Sequence, residues 1–149
     1  MAWWLVAVIA VFALLSVIAS WRYYEFRRLG RQHRDAPLGD LIWSFPCAWR
    51  VDTIFANGNG FTSSRFDVYT EALVLRAKPF GLARTATYVF PRSVTEVALS
   101  RPGGGFSFRG VFSGDSVLVR TGKVVVAVRA VPIDGLRRCL VDHGWVLSR

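Results

Sequence analysis

The residues of this sequence that could do acid–base or metal chemistry are few and scattered. Asp67 and Glu71 are the closest pair of carboxylates that could share acid–base work, but we favour their interpretation as solvated charges at strand edges. His33 and His143 are far apart in the sequence, and neither has the spacing of a metal ligand. We therefore expect no catalytic residues, no metal site and no cofactor.

The common sequence motifs of catalysis are absent. The chain contains no GxSxG, HExxH, Walker A or dinucleotide-binding pattern. Gly103-Gly104-Gly105 is followed by strand-like residues rather than a helix, which indicates a loop and not a phosphate site. Cys47 and Cys139 form neither a CxxC pair nor a disulfide framework, so we expect reduced thiols, one of them buried on a helix. An enzyme with an unrecognised site remains the least favoured alternative.

One stretch mixes aromatic and basic side chains in a way that could bind a partner. Its residues are Arg101, Phe106, Phe108, Arg109 and Phe112. Aromatic rings beside arginines suit base stacking or an acidic peptide. Alternation of phenylalanines is first of all typical of a strand with one buried face. We keep these residues as a possible partner surface and expect no nucleic acid as the partner.

The elements that hold these residues begin with an apolar run from Ala2 to Trp21, which contains no charge, Pro or Gly. At about 1.5 Å per residue such a helix reaches roughly 30 Å, the thickness of a bilayer's hydrocarbon core. Aromatic residues that favour the headgroup level flank it: Trp3 and Trp4 at one end, and Trp21, Tyr23 and Tyr24 at the other. The sequence predicts a single transmembrane helix.

Two other interpretations of this run are a cleaved signal peptide and a buried helix. Val17-Ile18-Ala19 resembles a cleavage site, but the basic segment that precedes a signal peptide's apolar core is missing. A buried helix of this length would need a larger core than the rest of the chain can form. We favour a permanent anchor.

Charges beside the run predict its orientation. The chain after Trp21 carries Arg22, Arg27, Arg28, Arg31 and Arg34. Basic residues next to a membrane span stay on the cytoplasmic side, so we expect the N-terminus outside the cell membrane and the rest in the cytoplasm. The same arginines could contact the anionic inner leaflet at about 1 kcal/mol each, although topology alone accounts for them. The formal net charge of +9 suggests attraction to an anionic surface, which a nucleic acid or a lipid leaflet could supply, and for a chain in the membrane the leaflet is the nearer partner.

The sequence divides into a helix with a basic cytoplasmic extension over 1–29, a linker over 30–40 and one domain over 41–149. Gly30 is the predicted end of the helix. The apolar stretch Leu41 to Trp49 holds Trp43 and is interrupted by Pro46, which argues against a continuous central strand. For this stretch we favour packing at the core or its entrance over insertion into the bilayer.

From Trp49 onward the pattern is that of short strands separated by Gly- and Pro-containing turns. The predicted strands are Trp49–Ala56, Phe66–Tyr69, Ala72–Arg76, Thr85–Phe90, Val94–Leu99, Phe106–Phe112, Ser116–Arg120 and Lys123–Val131. The nearly continuous valines of the last strand indicate a strand that is covered on both faces. These runs predict a mainly β fold, an antiparallel barrel or sandwich.

A short amphipathic helix is predicted after the last strand. Leu136 and Leu140 recur at helical spacing, and Asp134 is placed to cap the helix. Gly144 supplies the left-handed stop, after which Trp145 can fold back on Leu140. A helix this short must dock on the sheet to be stable.

Short antiparallel strands closed by one C-terminal amphipathic helix resemble the pleckstrin-homology-like superfamily, in the form of small bacterial PH or GRAM-like domains tethered to membranes. The resemblance is carried by Phe66–Arg76, Tyr88–Val97 and Pro132–Leu136. It implies a non-catalytic binding or scaffolding module, with a membrane-associated protein as the expected partner. A sensor of anionic lipid headgroups is the alternative. The loop from Ala56 to Arg65 holds only one basic residue, so the phosphoinositide site of some family members is not expected.

Overall fold

The computed structural model describes residues 3–51, 57–58, 64–77, 86–100, 116–122, 124–145 and 147–148. The elements in chain order are helix α1 (Trp3–Gln32), strands β1 (Leu41–Val51), β2 (Asn57–Gly58), β3 (Arg65–Tyr69), β4 (Ala72–Ala77), β5 (Ala86–Pro91), β6 (Thr95–Ser100), β7 (Ser116–Thr121) and β8 (Val124–Ala130), helix α2 (Ile133–Asp142) and strand β9 (Leu147–Ser148). The prediction of a mainly β fold with a helix at each end is confirmed. The predicted strand Phe106–Phe112 lies outside the described residues.

Seven of the strands form one antiparallel sheet in the order β5-β4-β3-β1-β8-β7-β6. The short β9 is parallel to β6, and the short β2 pairs with β1. Among the described residues the two edge strands, β5 and β6, do not pair, so the sheet is not closed as a barrel. The antiparallel architecture is therefore confirmed, whereas hydrogen-bonded closure is not found.

β1 is the strand that joins the two halves of the sheet. Its residues up to Pro46 pair with β3, and those from Cys47 onward pair with β8. Proline cannot donate a backbone hydrogen bond, and Pro46 lies at the change of partner, where its carbonyl accepts from the Val131 N–H at 3.1 Å. The prediction that Pro46 interrupts the strand was wrong, and β1 begins at Leu41 rather than at Trp49.

One core fills the space between the halves of the sheet. Alternate residues of the seven long strands point into it, as period-two geometry requires. Its fully buried members include Trp49, Phe66, Phe90 and Leu73. Every residue of β8 from Val124 to Val128 is buried, which confirms the prediction that this strand is covered on both faces.

α2 docks on this core through Leu136 and Leu140, as predicted. Gly144 has a positive φ of 71°, and the N–H of the buried Trp145 donates to the Leu140 carbonyl at 2.9 Å. This is the predicted helix ending. The prediction that Asp134 caps the helix was wrong, because Pro132 occupies the cap position and Asp134 lies in the first turn of α2.

α1 continues two residues past Gly30, so the prediction that this glycine ends the helix was wrong. Gly30 is buried, and a Cβ placed there would collide with the ring of Tyr88 on β5. Glycine therefore serves close packing of α1 against the sheet at this position. The chain then turns, and Ala36 and Leu38 pack on the outer face of the sheet.

The N-terminal part of α1 has a different surface. Every residue from Trp3 to Ile18 is exposed, with Trp3 at 85% and Phe12 at 68%. Exposed apolar patches of this extent are typical of surfaces that bind another protein or a membrane. In the part of the chain that the structure describes, no helix is long and apolar enough to cross a membrane.

Candidate functional site

The structure describes only some of the residues that the sequence predicts to be functional. Exposed side chains are those of Trp3, Trp4, Trp21 and Tyr24 in the aromatic flanks and of Arg28, Arg31 and Arg34 after the apolar run. The side chains of Tyr23, Arg22 and Arg27 lie outside the description, as do all atoms of Arg101, Phe106, Phe108, Arg109 and Phe112. Their roles in lipid contact, topology and partner binding stay predictions.

The outer face of β1, β3, β4 and β5 changes along the strands from buried and apolar at one end to exposed and largely polar at the other. Nearest the β3–β4 turn, apolar side chains lie beneath Ala36 and Leu38. The row at the opposite end of the strands is exposed and consists of direct cross-strand partners. Its members are Pro46, Arg65, Arg76 and Thr87, one from each strand, and we call it the arginine row.

A buried carboxylate lies next to the arginine row. Asp67 is only 3% exposed, although it was predicted to be a solvated strand-edge charge, and that interpretation was wrong. Its Oδ2 accepts from Nε of Arg76 at 2.9 Å, and its Oδ1 accepts from the hydroxyl of Ser44. Glu71, its suggested partner, is exposed in the β3–β4 turn. Asp67 is therefore satisfied by a cation and a hydroxyl.

The same network fixes both arginines of the row. Arg65 donates through Nε to the Ser44 hydroxyl oxygen at 2.9 Å. Arg76 donates a second hydrogen bond, from Nη2 to the Tyr69 hydroxyl at 3.2 Å. Like charges on directly opposite strand residues repel, and Asp67 offsets that repulsion by holding one guanidinium directly and the other through Ser44.

The chemistry available to this network is recognition of an anion. Each oxygen of Asp67 already accepts a hydrogen bond, which suits the fixing of cations rather than proton transfer. The two guanidiniums remain accessible, since Arg65 is exposed and the Arg76 side chain is 50% exposed. Among the described residues, no three His, Cys, Asp or Glu side chains come together as a metal site.

Arg92 forms a second arginine site that sequence reasoning missed. Its Nη1 donates to the Thr70 carbonyl at 3.0 Å, and its Nη2 donates to the His143 carbonyl at 3.0 Å and to the Gly144 carbonyl. The guanidinium also lies 5.0 Å from the centroid of the Trp145 ring. A cation at a helix C-terminus is favourable. Arg92 therefore ties the end of α2 to the β3–β4 turn.

Both cysteines are free, and the more buried one is Cys47 on β1 rather than the helical Cys139. The prediction of a buried cysteine on a helix was therefore wrong, since Cys139 is only partly buried. Burial, with a smaller contribution from the nearby Asp67 carboxylate, raises the pKa of Cys47 from 9.0 to about 12, against an opposing effect of Arg65. Burial also raises the pKa of Cys139. Neither thiol is activated as a nucleophile.

We expect Cys47 in a Cys139→Ser variant to resist a maleimide from pH 7 to 9 and to react fully once the chain is unfolded. Between pH 9 and about 12 the unfolded thiol loses its proton while the folded thiol keeps it, so unfolding is favoured as pH rises through this window. Replacing Cys47 by Val should make the fall in stability shallower over that range. Labelling of native Cys47 at pH 8 as fast as labelling of the unfolded chain would contradict this prediction.

Comparison of the chain with protein-family models, with curated proteins and with solved structures finds no match.

Proposed function

We propose that this chain is a single-pass membrane protein whose N-terminal helix anchors a non-catalytic β domain at the cytoplasmic side of the cell membrane. The domain acts as an accessory or scaffolding module for a membrane-associated protein. The observation that carries the proposal is the exposure of every residue from Trp3 to Ile18. The arginines that follow the run in the sequence support the orientation with the N-terminus outside.

The apolar side chains surround the N-terminal half of α1 on all sides. They include Leu5, Val6, Val8, Ile9, Val11, Phe12, Leu14, Leu15, Val17 and Ile18, each at least 46% exposed. The burial of apolar surface away from water is favourable by roughly 25 cal/mol per Å², so the transfer of this helix into a bilayer would stabilise it strongly. The structure describes the side chains of α1 without a gap only from Trp3 to Ile18, which is shorter than the ~20 residues of a full crossing. In the sequence the uncharged run extends to Trp21 and reaches that length.

The order of elements supports a PH-like binding module. Seven antiparallel strands are followed by a C-terminal amphipathic helix that packs on their common core. This is the plan that the resemblance implies, with an open sheet in place of a closed barrel. The described residues of the domain present polar groups suited to binding an anion, and Asp67 is engaged at both oxygens.

Carbonate extraction and protease accessibility test the proposal on the full chain. We expect the protein to stay in the membrane pellet at alkaline pH, and the domain to resist protease added to whole cells but not to lysed cells. Release of the intact chain by carbonate would contradict the anchor, and digestion from outside would contradict the orientation. An intact mass lacking the first 19 residues or so would identify the run as a signal peptide instead.

Sensing of anionic lipid is the second candidate function. It is favoured by the exposed Arg28, Arg31 and Arg34 near the end of α1 and by the arginine row on the domain. Each basic residue near an anionic surface contributes about 1 kcal/mol. Electrostatic binding of this kind weakens as the salt concentration is raised. Attachment to vesicles that persists at high salt, without insertion of α1, would therefore count against lipid sensing.

A further inference from the structure

We propose that the end of α1 and the segment after it form a rigid joint, so that α1 carries the domain in one fixed orientation and not on a flexible tether. We call residues 33–40 the strap, and the strap together with the last turn of α1 the joint. The joint stands whether or not α1 enters a bilayer, and only its consequence for a membrane-bound partner rests on the proposed function.

α1 has no break between its apolar run and the domain. One continuous helix extends from Trp3 to Gln32. Sharp kinks in helices mostly occur at proline, and α1 contains none. From Trp21, where the uncharged run ends, to Gly30 the helix advances roughly 14 Å at about 1.5 Å per residue. A hinge between α1 and the domain would therefore have to lie after Gln32.

The end of α1 packs on the core of the domain. Gly30 is buried against the ring of Tyr88, and a Cβ at Gly30 would collide with Cδ1 of that ring. Tyr88 is only 3% exposed and belongs to the main core cluster. α1 also lies close to β8, which is in the other half of the sheet. Domains joined by a small polar interface are expected to move relative to one another, whereas α1 rests directly on a core side chain.

The strap is held on the outer face of the sheet. Ala36 and Leu38 pack there against a second buried cluster, whose members are Tyr69, Ala72, Val74 and Val89. Successive residues of a strand point to opposite faces. Tyr88 therefore meets α1 on one face of β5, and Val89 belongs to the cluster beneath the strap on the other face. The joint encloses this edge strand from both sides.

Hydrogen bonds tie the strap to the β3–β4 turn. The Glu71 N–H donates to the Leu38 carbonyl, and the Thr70 N–H donates to the Asp40 carbonyl, both at 3.1 Å. The Asp40 N–H donates in return to the Thr70 hydroxyl oxygen at 3.1 Å. Gly39, between the two carbonyls, has a positive φ of 73° that glycine adopts readily. A flexible linker is a solvated coil without such contacts, so the strap does not act as one.

A rigid joint favours binding of a membrane-bound partner. A domain that is already oriented loses less entropy when it binds than a domain on a free tether. If α1 spans the membrane along its normal, the contact at Gly30 lies roughly 14 Å beyond the uncharged run, outside a headgroup layer that is about 5–8 Å thick. This geometry suits a membrane protein with a part that extends beyond the lipid headgroups.

Distances between spin labels on the full chain in non-ionic detergent micelles test the joint. Cys139→Ser removes the partly buried thiol, and the buried Cys47 is expected not to react. One pair of labels is placed at Tyr24→Cys on α1 and Arg138→Cys on α2, and a control pair within the domain at Arg120→Cys and Arg138→Cys, all exposed positions. We expect equally narrow distance distributions. A free tether as long as the strap has an r.m.s. extension of roughly 15 Å and would broaden the first distribution on that scale.

Substitutions at neighbouring positions distinguish the joint from the helix itself. Gly30→Leu should broaden the distribution between α1 and α2, because leucine does not fit against Tyr88 although it is the better helix former. Arg31→Leu, at the next and exposed position, should leave the distribution narrow. If Gly30→Leu prevents folding, Leu38→Ser takes its place and should broaden the distribution by loosening the strap. Asp35→Ser, at an exposed position of the strap, is the control for that variant.

A broad distribution between α1 and α2 in the protein with its own joint residues would overturn the proposal. Equal effects of Gly30→Leu and Arg31→Leu, or of Leu38→Ser and Asp35→Ser, would overturn it as well. The two proposals fail separately. If carbonate releases the chain but the distribution is narrow, the anchor is wrong and the joint stands. If the chain stays in the membrane pellet but the distribution is broad, the joint is wrong and the anchor stands.

Discussion

The double substitution Val11→Arg and Leu15→Arg is expected to transfer the chain from the carbonate-washed membrane pellet to the soluble fraction. An arginine at the centre of a spanning helix disfavours insertion by about 2.5–3.5 kcal/mol, so two cost about 5–7 kcal/mol. The eight Leu, Ile, Val and Phe residues that remain in the run favour insertion by only about 2.4–4.8 kcal/mol in total. The free energy of membrane insertion therefore changes from favourable to unfavourable. Both residues are exposed, and they lie one helical turn apart on one face.

The control for this experiment adds the same charges to the domain. Val131 and Val141 are exposed, at 52% and 59%, and lie outside α1. Replacing both by arginine should leave the chain in the pellet. If the double variant of α1 stays in the carbonate-washed pellet, the apolar run does not enter the bilayer. A bound protein partner would then be what covers the apolar surface of this helix.

Local patterns in the sequence predict the hairpins and α2 well, because neighbouring residues decide them. The valines of β7 and β8 and the turn at Gly122 fix that pair without help from the rest of the chain. β1 could not be predicted in the same way. Its continuity through Pro46 depends on a change of partner from β3 to β8, and both partners are distant in sequence.

The candidate site shows where sequence reasoning stops. Period-two alternation places Arg65 and Asp67 on one face of β3, and that signal was available. Ser44 and Arg76 come from other strands, so only the pairing register brings them to the carboxylate. Without the register, a lone aspartate in a strand is more simply interpreted as solvated.

Gly30 gives a second example with a different cause. A glycine near the end of an apolar helix is a common stop signal, and the sequence contains nothing that argues otherwise. The structure uses it for contact with Tyr88, which lies on a strand that begins more than fifty residues later. The packing partner decides whether a helical glycine ends a helix or lets another element approach.

Arg76→Met is expected to lower the free energy of unfolding of the domain by about 1.5–3 kcal/mol, measured by urea denaturation of the full chain in micelles. The substitution keeps most of the aliphatic stem but leaves Asp67 buried with Ser44 as its remaining partner. Loss of one member of a fully buried pair costs about 3–5 kcal/mol, and the half-exposed Arg76 side chain reduces that figure. Arg138→Met, on an exposed position of α2, should change stability by less than about 0.5 kcal/mol.

A double-mutant cycle with Asp67→Asn decides whether the effect of Arg76→Met comes from the pair itself. Asparagine removes the buried charge, so Arg76→Met should destabilise the Asp67→Asn protein less than it destabilises the wild type. We expect a coupling free energy of about 1–2 kcal/mol, in the range found for residues in direct contact. Additive effects would mean that Arg76 stabilises the sheet through its stem and its contact with Tyr69. The carboxylate would then not be what holds the arginine row in place.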